Sequence, residues 1–455
     1  MKQSIFRMYD VRGIAETELN DNDVYLIGKA FGTYIKRRGG KSVASGMDVR
    51  LSSSRIKTAF NRGVIETGVN IIDVGVVTTP MLYYSEHFFK CDGGIMVTGS
   101  HNPIEYNGLK MVDPEITIYG DTITSFYEMI MKNDFEKGQG ALKNVSIDEE
   151  YIMMCAEKIK ISSKLRVLVD PGNGTAGPVA EKIFKKLGVY ADFINKERDG
   201  RFPNHLPDPT VMEFTEELRS KTKSGKYDCG IGYDGDCDRI GLIDENGDMV
   251  FGDQILGILA KDMLSRNKGE KVVFDVKCSQ GLEELILKEG GKPMMHKTGH
   301  SLLKRKMKEE KALLAGEMSG HMFFNENFFG FDDGLFASLL VLRILSERKI
   351  KLSELKKEMP YYISTPEIRV DTTEEDKFTI VDEIVKHYKK EGYRVIDIDG
   401  ARVYFDGGWA LVRASNTQPI LVVRFEAKTK EQMETIRQNV RDVLSKYKSV
   451  DLRNV

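Results

Sequence analysis

The sequence has no apolar run of about eighteen residues, the length that a membrane-spanning helix requires. Met1 to Arg7 also lack the apolar core of a secretory signal, so the chain is expected to be cytoplasmic and free of membrane contact. Cysteine is scarce: Cys91, Cys155, Cys229, Cys237 and Cys278 are five scattered residues with no Cys-x-x-Cys pair. That argues against disulfides and structural zinc and for reduced thiols. A dominant charge is missing as well, since 67 Lys and Arg face 69 Asp and Glu and leave a formal net charge of -2. No broad basic face for nucleic acid follows from that balance, although a local basic pocket can hide inside a neutral total. What is present is length. At 455 residues the chain exceeds one hydrophobic core, and about 150 residues per domain gives roughly three.

Three stretches share a plan of apolar strand, Gly/Ser/Asp loop, amphipathic helix and closing glycine. The first runs from Ser42–Gly46 through a loop at Asp48–Ser54 and a helix from about Ile56 to Gly68, before the strand Val69–Val74. The second has Val167–Asp170, the loop Pro171–Thr175, a helix with Val179, Ile183 and Leu187 at helical spacing, and Gly188. The third has Val272–Val276, Lys277–Gln280, a helix around Leu282, Leu285 and Ile286, and Gly290-Gly291. Glycine after a helix supplies the left-handed cap that lets the chain reverse, and short strands alternating with helices favour mixed sheets covered on both faces.

The last quarter differs. Phe378, Val381, Val385 and Tyr388 mark a helix; strands are expected near 393–397, 402–405, 409–413 and 420–427; a final helix starts at Thr429, whose spacing to Gln432 fits a capping box. The fold class predicted is therefore α/β: three related α/β domains with mixed sheets over 1–154, 155–255 and 256–368, and a smaller α+β domain over 369–455.

Two motifs carry the strongest chemistry. Asp234-Gly235-Asp236-Cys237-Asp238-Arg239 places three carboxylates two residues apart, so in extended chain they point the same way, with Gly235 allowing a curve and Cys237 pointing away. Carboxylates that close repel one another unless a cation sits among them, and an all-oxygen set suits Mg²⁺. An EF-hand is disfavoured, because the apolar run Ile240–Ile243 replaces that loop's glycine and helix exit even though Glu245 is twelfth from Asp234. A solvated acidic turn has the same vocabulary. Thr98-Gly99-Ser100-His101-Asn102-Pro103 follows the strand-like Gly93–Val97, at the end of a strand where sites of α/β sheets lie. No Gly-x-Ser-x-Gly elbow surrounds Ser100, and the adjacent His101 is badly placed to serve as its base. A phosphoserine fits better, since a phosphoryl group near a divalent cation is itself a ligand. A polar turn is the plainer alternative.

Two further loops complete the set. In Gly316-Glu317-Met318-Ser319-Gly320-His321, Glu317 and Ser319 lie two apart and can hydrogen-bond neighbouring sugar hydroxyls. In Arg413-Ala414-Ser415-Asn416-Thr417-Gln418-Pro419 an arginine fork and Ser, Asn and Thr donors make a nest for a dianionic phosphate. Either segment could also be an ordinary polar turn between strands.

These four motifs, in this order along the chain, resemble the α-D-phosphohexomutase superfamily. The resemblance implies four domains around a central cleft. Ser100 becomes the phosphoserine that donates its phosphoryl group and takes one back, with Ser100, Asp234, Asp236 and Asp238 holding Mg²⁺ and Arg239 neutralising the transferring group. His101 joins the catalytic set by its place in the motif, and Lys110 and His321 become alternative proton-transfer groups. Tyr9 and Arg12, in Tyr9-Asp10-Val11-Arg12-Gly13, resemble the start of the bacterial phosphomannomutase/phosphoglucomutases. Tyr9, Arg12, Lys277, His300, Glu317, Ser319, Arg413, Ser415, Asn416 and Thr417 are the implied substrate ligands. The implied reaction is reversible conversion of a mannose or glucose 1-phosphate to its 6-phosphate, with glucose or mannose 1,6-bisphosphate as intermediate and activator. Tyr-Asp-Val-Arg-Gly and Met318 point away from the phosphoglucosamine mutases, which with a metal-dependent sugar phosphatase are the alternatives. Hexose phosphates are the expected partners, with no nucleic acid or membrane; the oligomeric state and the preferred sugar are left open.

Overall fold

The computed structural model describes residues 1–114, 118–415 and 418–454. Its strands form four sheets, and the first three have the same plan. In the second sheet the strands Tyr190–Phe193, Arg166–Asp170 and Cys229–Tyr233 run parallel, and Ile240–Asp244 and Met249–Val250 extend the sheet antiparallel beyond Cys229–Tyr233. The third repeats that order with Lys292–His296, Lys271–Asp275 and Leu314–Gly316, then antiparallel Met322–Phe324 and Phe331–Asp332. The first has Asn70–Val76, Ser42–Met47 and Gly94–Val97, then antiparallel Tyr106–Val112 and Val11–Ile14, with Leu142–Asn144 added outside Asn70–Val76. Central strands such as Gly94–Val97 and Cys229–Tyr233 are buried at every position, because helices cover both faces. Glycine-rich, short-side-chain strands therefore read as buried without alternation.

This repetition places the chemistry. The strand beside the antiparallel hairpin is Gly94–Val97, Cys229–Tyr233 or Leu314–Gly316, and the carboxyl end of each opens into the serine, aspartate or Glu317 loop. Ligand sites of α/β sheets lie at those ends. The three loops occupy equivalent positions in three copies of one architecture.

The last sheet is antiparallel, in the order Ile363–Ser364, Ile420–Ala427, Gly408–Ala414, Ala401–Phe405, Arg394–Ile396, and Ile368–Asp371 also pairs with Ile420–Ala427. The strands Ile363–Ser364 and Ile368–Asp371 are too short for their alternation to register in the sequence. The helix expected from Phe378 is Lys377–Lys390, but its inward stripe is Ile380, Val381, Ile384 and Tyr388, while Phe378 is 53% exposed. Thr429 caps the final helix by accepting from Gln432 N at 3.2 Å, the first half of the expected capping box. In the first unit the helix expected from Ile56 begins earlier, as Ser53–Ile65. Positions 154 and 255 fall inside the helices Asp148–Lys158 and Gly252–Arg266, whose helical pattern runs straight through the expected unit edges, and 368 is the first residue of Ile368–Asp371.

A continuous apolar cluster reaches from Ala44 and Val74 through Ile183 and Ile231 to Leu345 and Met359, and so joins the first three units. The last unit has a separate core, from Val370 to Leu444, and meets the third through a small cluster of Val276, Trp409 and Leu411. Among the described residues, no helix is long and apolar enough to cross a membrane.

Candidate active site

Ser100 has left-handed backbone geometry, φ 48°, and its N–H donates to Thr98 Oγ1 at 2.8 Å. The loop is held from beneath by Arg50, whose guanidinium donates to the carbonyls of Ser100, Asn102, Pro103 and Tyr106. Ser100 Oγ donates to Asp234 Oδ2 at 2.7 Å, which closes the serine loop onto the aspartate loop. Gly235 is needed for that approach: a Cβ there would lie 2.6 Å from the Ser100 carbonyl oxygen.

The aspartate loop is a turn, where extended chain was expected. Cys237 N donates to Asp234 O at 3.1 Å and Cys237 itself takes φ 63°, so the left-handed bend lies at Cys237 and not at Gly235. Cys237 does point away, into the apolar core. Backbone bonds fix the turn from every side: Thr79 N and Thr175 N donate to the carbonyls of Asp236 and Gly235, and Gly334 N to that of Cys237.

The three carboxylates converge, with one ligand oxygen of each of Asp234, Asp236 and Asp238 within 4.8 Å of the others. Lys110 Nζ lies 2.8 Å from Asp236 Oδ2 and 2.5 Å from Asp238 Oδ2. Burial works against the Lys110 ammonium, but Asp236 and Asp238 outweigh it and hold its pKa well above the ordinary value. Asp238 is likewise held down to about 2: burial opposes its charge, and Lys110 and His321 prevail. Asp234 goes the other way, because burial and then the charges of Asp238 and Asp236 push its carboxyl well up. One ammonium does not balance three buried carboxylates. Asp236 Oδ1 and Asp238 Oδ1 are buried without a hydrogen-bond partner, so the donor set fits a hard divalent cation with oxygen preference.

His101 lies closer to Ser100 than their adjacency alone suggests, with its Nδ1 3.0 Å from Ser100 Oγ. The left-handed turn at Ser100 folds the two adjacent side chains together. One hydroxyl proton cannot serve both neighbours; with Asp234 accepting it, His101 donates from Nδ1 to Oγ. Burial, followed by the charges of Arg239 and Arg12, pushes the His101 pKa well down, so the ring is neutral. Arg239 N donates to Asp234 Oδ1 at 3.0 Å and its Nε to His321 Nε2 at 2.9 Å, while His321 Nδ1 lies 2.8 Å from Asp332 Oδ2. Burial opposes the His321 imidazolium and Asp238 and Asp332 raise its pKa overall. The bond from Arg239 decides the state in this arrangement, because it requires a lone pair on Nε2 and puts the proton on Nδ1, facing Asp332. Asp238, His321 and Asp332 also lie within metal-ligand reach of one another, but both nitrogens of His321 are engaged.

Glu317 is buried, with Oε1 accepting from Gly299 N at 2.8 Å and Oε2 from Ser319 Oγ at 2.7 Å. Glu317 and Ser319 thus bond each other. Tyr9 OH donates to Thr298 O at 3.0 Å, and its ring packs where Gly299 leaves room, since a Cβ at 299 would lie 2.7 Å from Tyr9 Cζ. His300 stacks on His321 with ring centres 5.5 Å apart, and burial and its cationic neighbours lower its pKa to about 4. Arg12 donates to Asn102 Oδ1 at 3.0 Å and pairs with Asp10. In the outer part, Lys277 pairs with Glu367 and Arg413 with Asp399, and Ser415 Oγ accepts from Gln418 N at 3.2 Å. Asn416 and Thr417 lie outside the described residues. A cavity of about 590 Å³ separates the first, third and last units, lined by Tyr9, Thr298, Phe378 and Asp399 among others.

Four family descriptions match the chain in order: phosphoglucomutase/phosphomannomutase alpha/beta/alpha domain I over residues 3–137, domain II over 149–247, domain III over 251–362, and the C-terminal domain over 367–443. The chain belongs to the phosphoglucomutase/phosphomannomutase family. Within it, the chain is 42% identical over 448 residues to a phosphomannomutase/phosphoglucomutase of Pseudomonas aeruginosa, covering 98% of this chain and 96% of the relative. It is 40% identical over 447 residues to a phosphoglucomutase of Neisseria gonorrhoeae, covering 97% of each. Among solved structures, a phosphoglucomutase/phosphomannomutase family protein of Burkholderia thailandensis superposes with a TM-score of 0.93 at 38% identity, covering 98% of both chains.

Against that family background, several residues of the site escaped the sequence reading. Arg50 and Asp48 brace the serine loop, Thr79 Oγ1 donates to Asp236 Oδ2 at 2.6 Å, Asp332 holds His321, and Glu367 and Asp399 pair with the outer cations. Asp48 to Ser54 was legible as a strand-end loop, and its position at the end of Ser42–Met47 is the signal that points to Arg50.

Proposed function

We propose that this chain is a phosphohexomutase, an isomerase that moves a phosphoryl group reversibly between the 1- and 6-positions of a hexose phosphate, mannose or glucose, through phosphorylated Ser100. The observation that carries the reading is the closure of Ser100 Oγ onto the Asp234 carboxylate at 2.7 Å, where loops from equivalent strands of two units meet. The four units suggested are 1–154 with the serine loop, 155–255 with the aspartate loop, 256–368 with the Glu317 loop and 369–455 with the phosphate loop.

Asp234, Asp236 and Asp238, with a phosphoryl oxygen on Ser100, would hold Mg²⁺. When bound, the ion supplies charge stabilisation for phosphoryl transfer, a reaction that depends on positioning and electrostatics. Arg239, already within reach of the aspartate loop and His321, turns its guanidinium toward the transferring phosphoryl group. That movement frees Nε2 of His321 to accept the proton of the attacking sugar hydroxyl, while Asp332 steadies the imidazolium. Lys110, a buried ammonium without a lone pair, suits neutralising charge better than acting as a base. The bond from Ser100 Oγ to phosphorus breaks as the bond from the sugar oxygen forms, and a bisphosphate results. In the second half, the other phosphoryl group passes to Ser100 Oγ and the proton returns to the sugar oxygen it leaves.

Glu317 and Ser319 would bind sugar hydroxyls; Lys277, His300, Arg413, Ser415, Asn416 and Thr417 would hold the phosphate at the far end, and Tyr9, Arg12 and His101 would line the path to Ser100. The bisphosphate must turn over so that both ends visit Ser100, and the separate core of the last unit supports its opening and closing on the cleft. Mass analysis for phosphate on Ser100, with turnover of glucose and mannose 1-phosphates in the presence of a trace of glucose 1,6-bisphosphate, tests the reading. Full turnover by Ser100→Ala would refute it, and phosphate release without isomerisation would favour a phosphatase.

A further inference from the structure

We propose that Glu367 is a gating counter-charge: its carboxylate holds Lys277 in the free protein and surrenders it to the phosphate of an arriving sugar, coupling phosphate binding to movement of the last unit. This rests on the reading of Lys277 as a phosphate ligand. Lys277 Nζ is 2.7 Å from Glu367 Oε1, and the two residues belong to different units. Lys277 follows the strand Lys271–Asp275 of the third sheet, while Glu367 lies between Ile363–Ser364 and Ile368–Asp371, both paired with Ile420–Ala427 of the last sheet.

The pair is asymmetric. The Lys277 side chain is 11% exposed and the Glu367 side chain 42%, so a sheltered cation faces a carboxylate at the rim. The backbone around Lys277 is clamped: Arg424 donates to Lys277 O at 2.7 Å, and Arg402 donates to Val276 O at 2.6 Å and Cys278 O at 2.7 Å. Among the described residues, Lys277 is the one partner of the Glu367 carboxylate. Asp399 differs, because it pairs with Arg413 at 3.2 Å and also accepts from Thr298 N at 3.0 Å, which fixes it between two units. Of the two anions that cover the outer cations, Glu367 is the one free to leave.

It also has reason to leave. The Glu367 carboxyl is held down to about 2 by Lys277 first, against burial, with Arg424 and Arg413 adding to the same effect. The carboxylate therefore occupies the field of Lys277 and Arg413, the two cations assigned to the phosphate. A dianionic phosphate arriving there meets a like charge, and one ammonium cannot be shared by both at contact distance without repulsion. Displacing Glu367 removes one charged tie between the third unit and the last while the bonds from Arg402 and Arg424 and the Asp399–Thr298 bond remain, so the rim of the last unit around Glu367 becomes free to adjust around the ligand. The same carboxylate lowers affinity for phosphate, which favours release and turnover of the intermediate.

The test uses the full chain, inorganic phosphate as calorimetric probe, and KM for glucose 1-phosphate. Glu367→Gln is expected to bind phosphate about tenfold more tightly, equivalent to about 1.4 kcal/mol, and to lower KM in step while its melting temperature falls with the lost ion pair. A merely structural role would weaken binding and stability together. Glu367→Asp, which keeps the charge, should restore the weaker binding. Unchanged or weaker phosphate binding by Glu367→Gln overturns the proposal. Lys277→Met should lose affinity whichever residue stands at 367; if it binds phosphate like the native chain, the assignment of Lys277 fails and the gate with it, a result distinct from failure of Glu367 alone.

Discussion

Arg50 offers the sharpest test of how the serine loop is held. It is 3% exposed, and its guanidinium donates to Pro103 O at 2.7 Å, Tyr106 O at 2.9 Å, Ser100 O at 2.9 Å and Asn102 O at 2.5 Å. Asp48 Oδ2 lies 3.4 Å from its Nε and accepts from Gly99 N at 3.0 Å, so the pair braces both sides of the turn. A hydrogen bond from a charged donor is worth about 1.5–3 kcal/mol, but four that share one side chain are not additive. Breaking a buried ion pair costs about 3–5 kcal/mol, and Arg50→Met is accordingly expected to lose about 4 kcal/mol. In thermal melting this is a fall of about 5 °C, because the first three units share one core and the unfolding entropy grows with its size. The effect on rate follows from geometry. The four carbonyls flank and include Ser100, and a misplacement of about 1 Å costs about 100-fold in rate. Arg50→Lys separates the two effects: it keeps the charge, but an ammonium cannot fork to four carbonyls on different residues. It should regain part of the melting temperature and little of kcat. If Arg50→Lys turns over and melts like the native protein, the guanidinium does not set the conformation of Ser100.

Gly235→Ala places a Cβ 2.6 Å from Ser100 O, so it should separate the two loops and lower kcat by about two orders of magnitude, measured beside Ser100 phosphorylation. Mg²⁺ at about 100 times its Kd should stabilise the protein by about 2.7 kcal/mol in melting experiments, and Asp236→Asn should lose that gain even with no substrate present. Glu86 is 5% exposed and burial pushes its carboxyl from 4.5 up to about 8, against the pull of Lys304. The folded state keeps a proton there that the unfolded state releases, so stability falls as pH rises from about 4.5 to about 8, at up to ~1.4 kcal/mol per pH unit, and Glu86→Gln should flatten that slope. Trp409 is the one tryptophan, fully buried with the Arg402 guanidinium 3.8 Å from its ring centre, and it packs on Val276 of the third unit. Its emission should change when glucose 1-phosphate moves the last unit; unchanged emission would count against motion at that contact.

The residues that the sequence revealed are those whose signal is local. Ser100, Asp234 and Glu317 sit in glycine-marked turns at strand ends, and Arg413 near the end of the strand Gly408–Ala414 before a polar loop, where a few neighbouring letters suffice. Their partners come from far along the chain: Arg50 reaches Ser100 across fifty positions, and Thr79 reaches Asp236 across 157. No periodicity announces such pairs, because they depend on how the sheets stack. The convergence of the three aspartates was legible but its cause was not: alternation in extended chain predicts one face, whereas a left-handed Cys237 gathers them in a turn. The closeness of His101 to Ser100 was not legible for the same reason. Adjacent side chains diverge in ordinary backbone, and the φ of 48° at Ser100 brings the imidazole back to its hydroxyl.

The way the units are joined bears on how such a site can work. The aspartate loop is tied to the Glu317 loop by backbone bonds, including Ile240 N to Gly320 O at 3.1 Å, and to the serine loop through Ser100 Oγ, over a core that the first three units share. Backbone-to-backbone bonds set positions without long, rotatable side chains, so the transfer end of the cleft is rigid and its charges stay preorganised. At the other end, the last unit has its own core and meets the third through three apolar residues and a set of arginine and carboxylate contacts. Charged contacts exchange readily for water or for a ligand's charge, whereas a shared apolar core does not. A bisphosphate that must reverse end for end needs a fixed donor and a grip that lets go. The division between shared core and polar hinge puts the fixed part at Ser100 and the releasable part at Lys277 and Arg413.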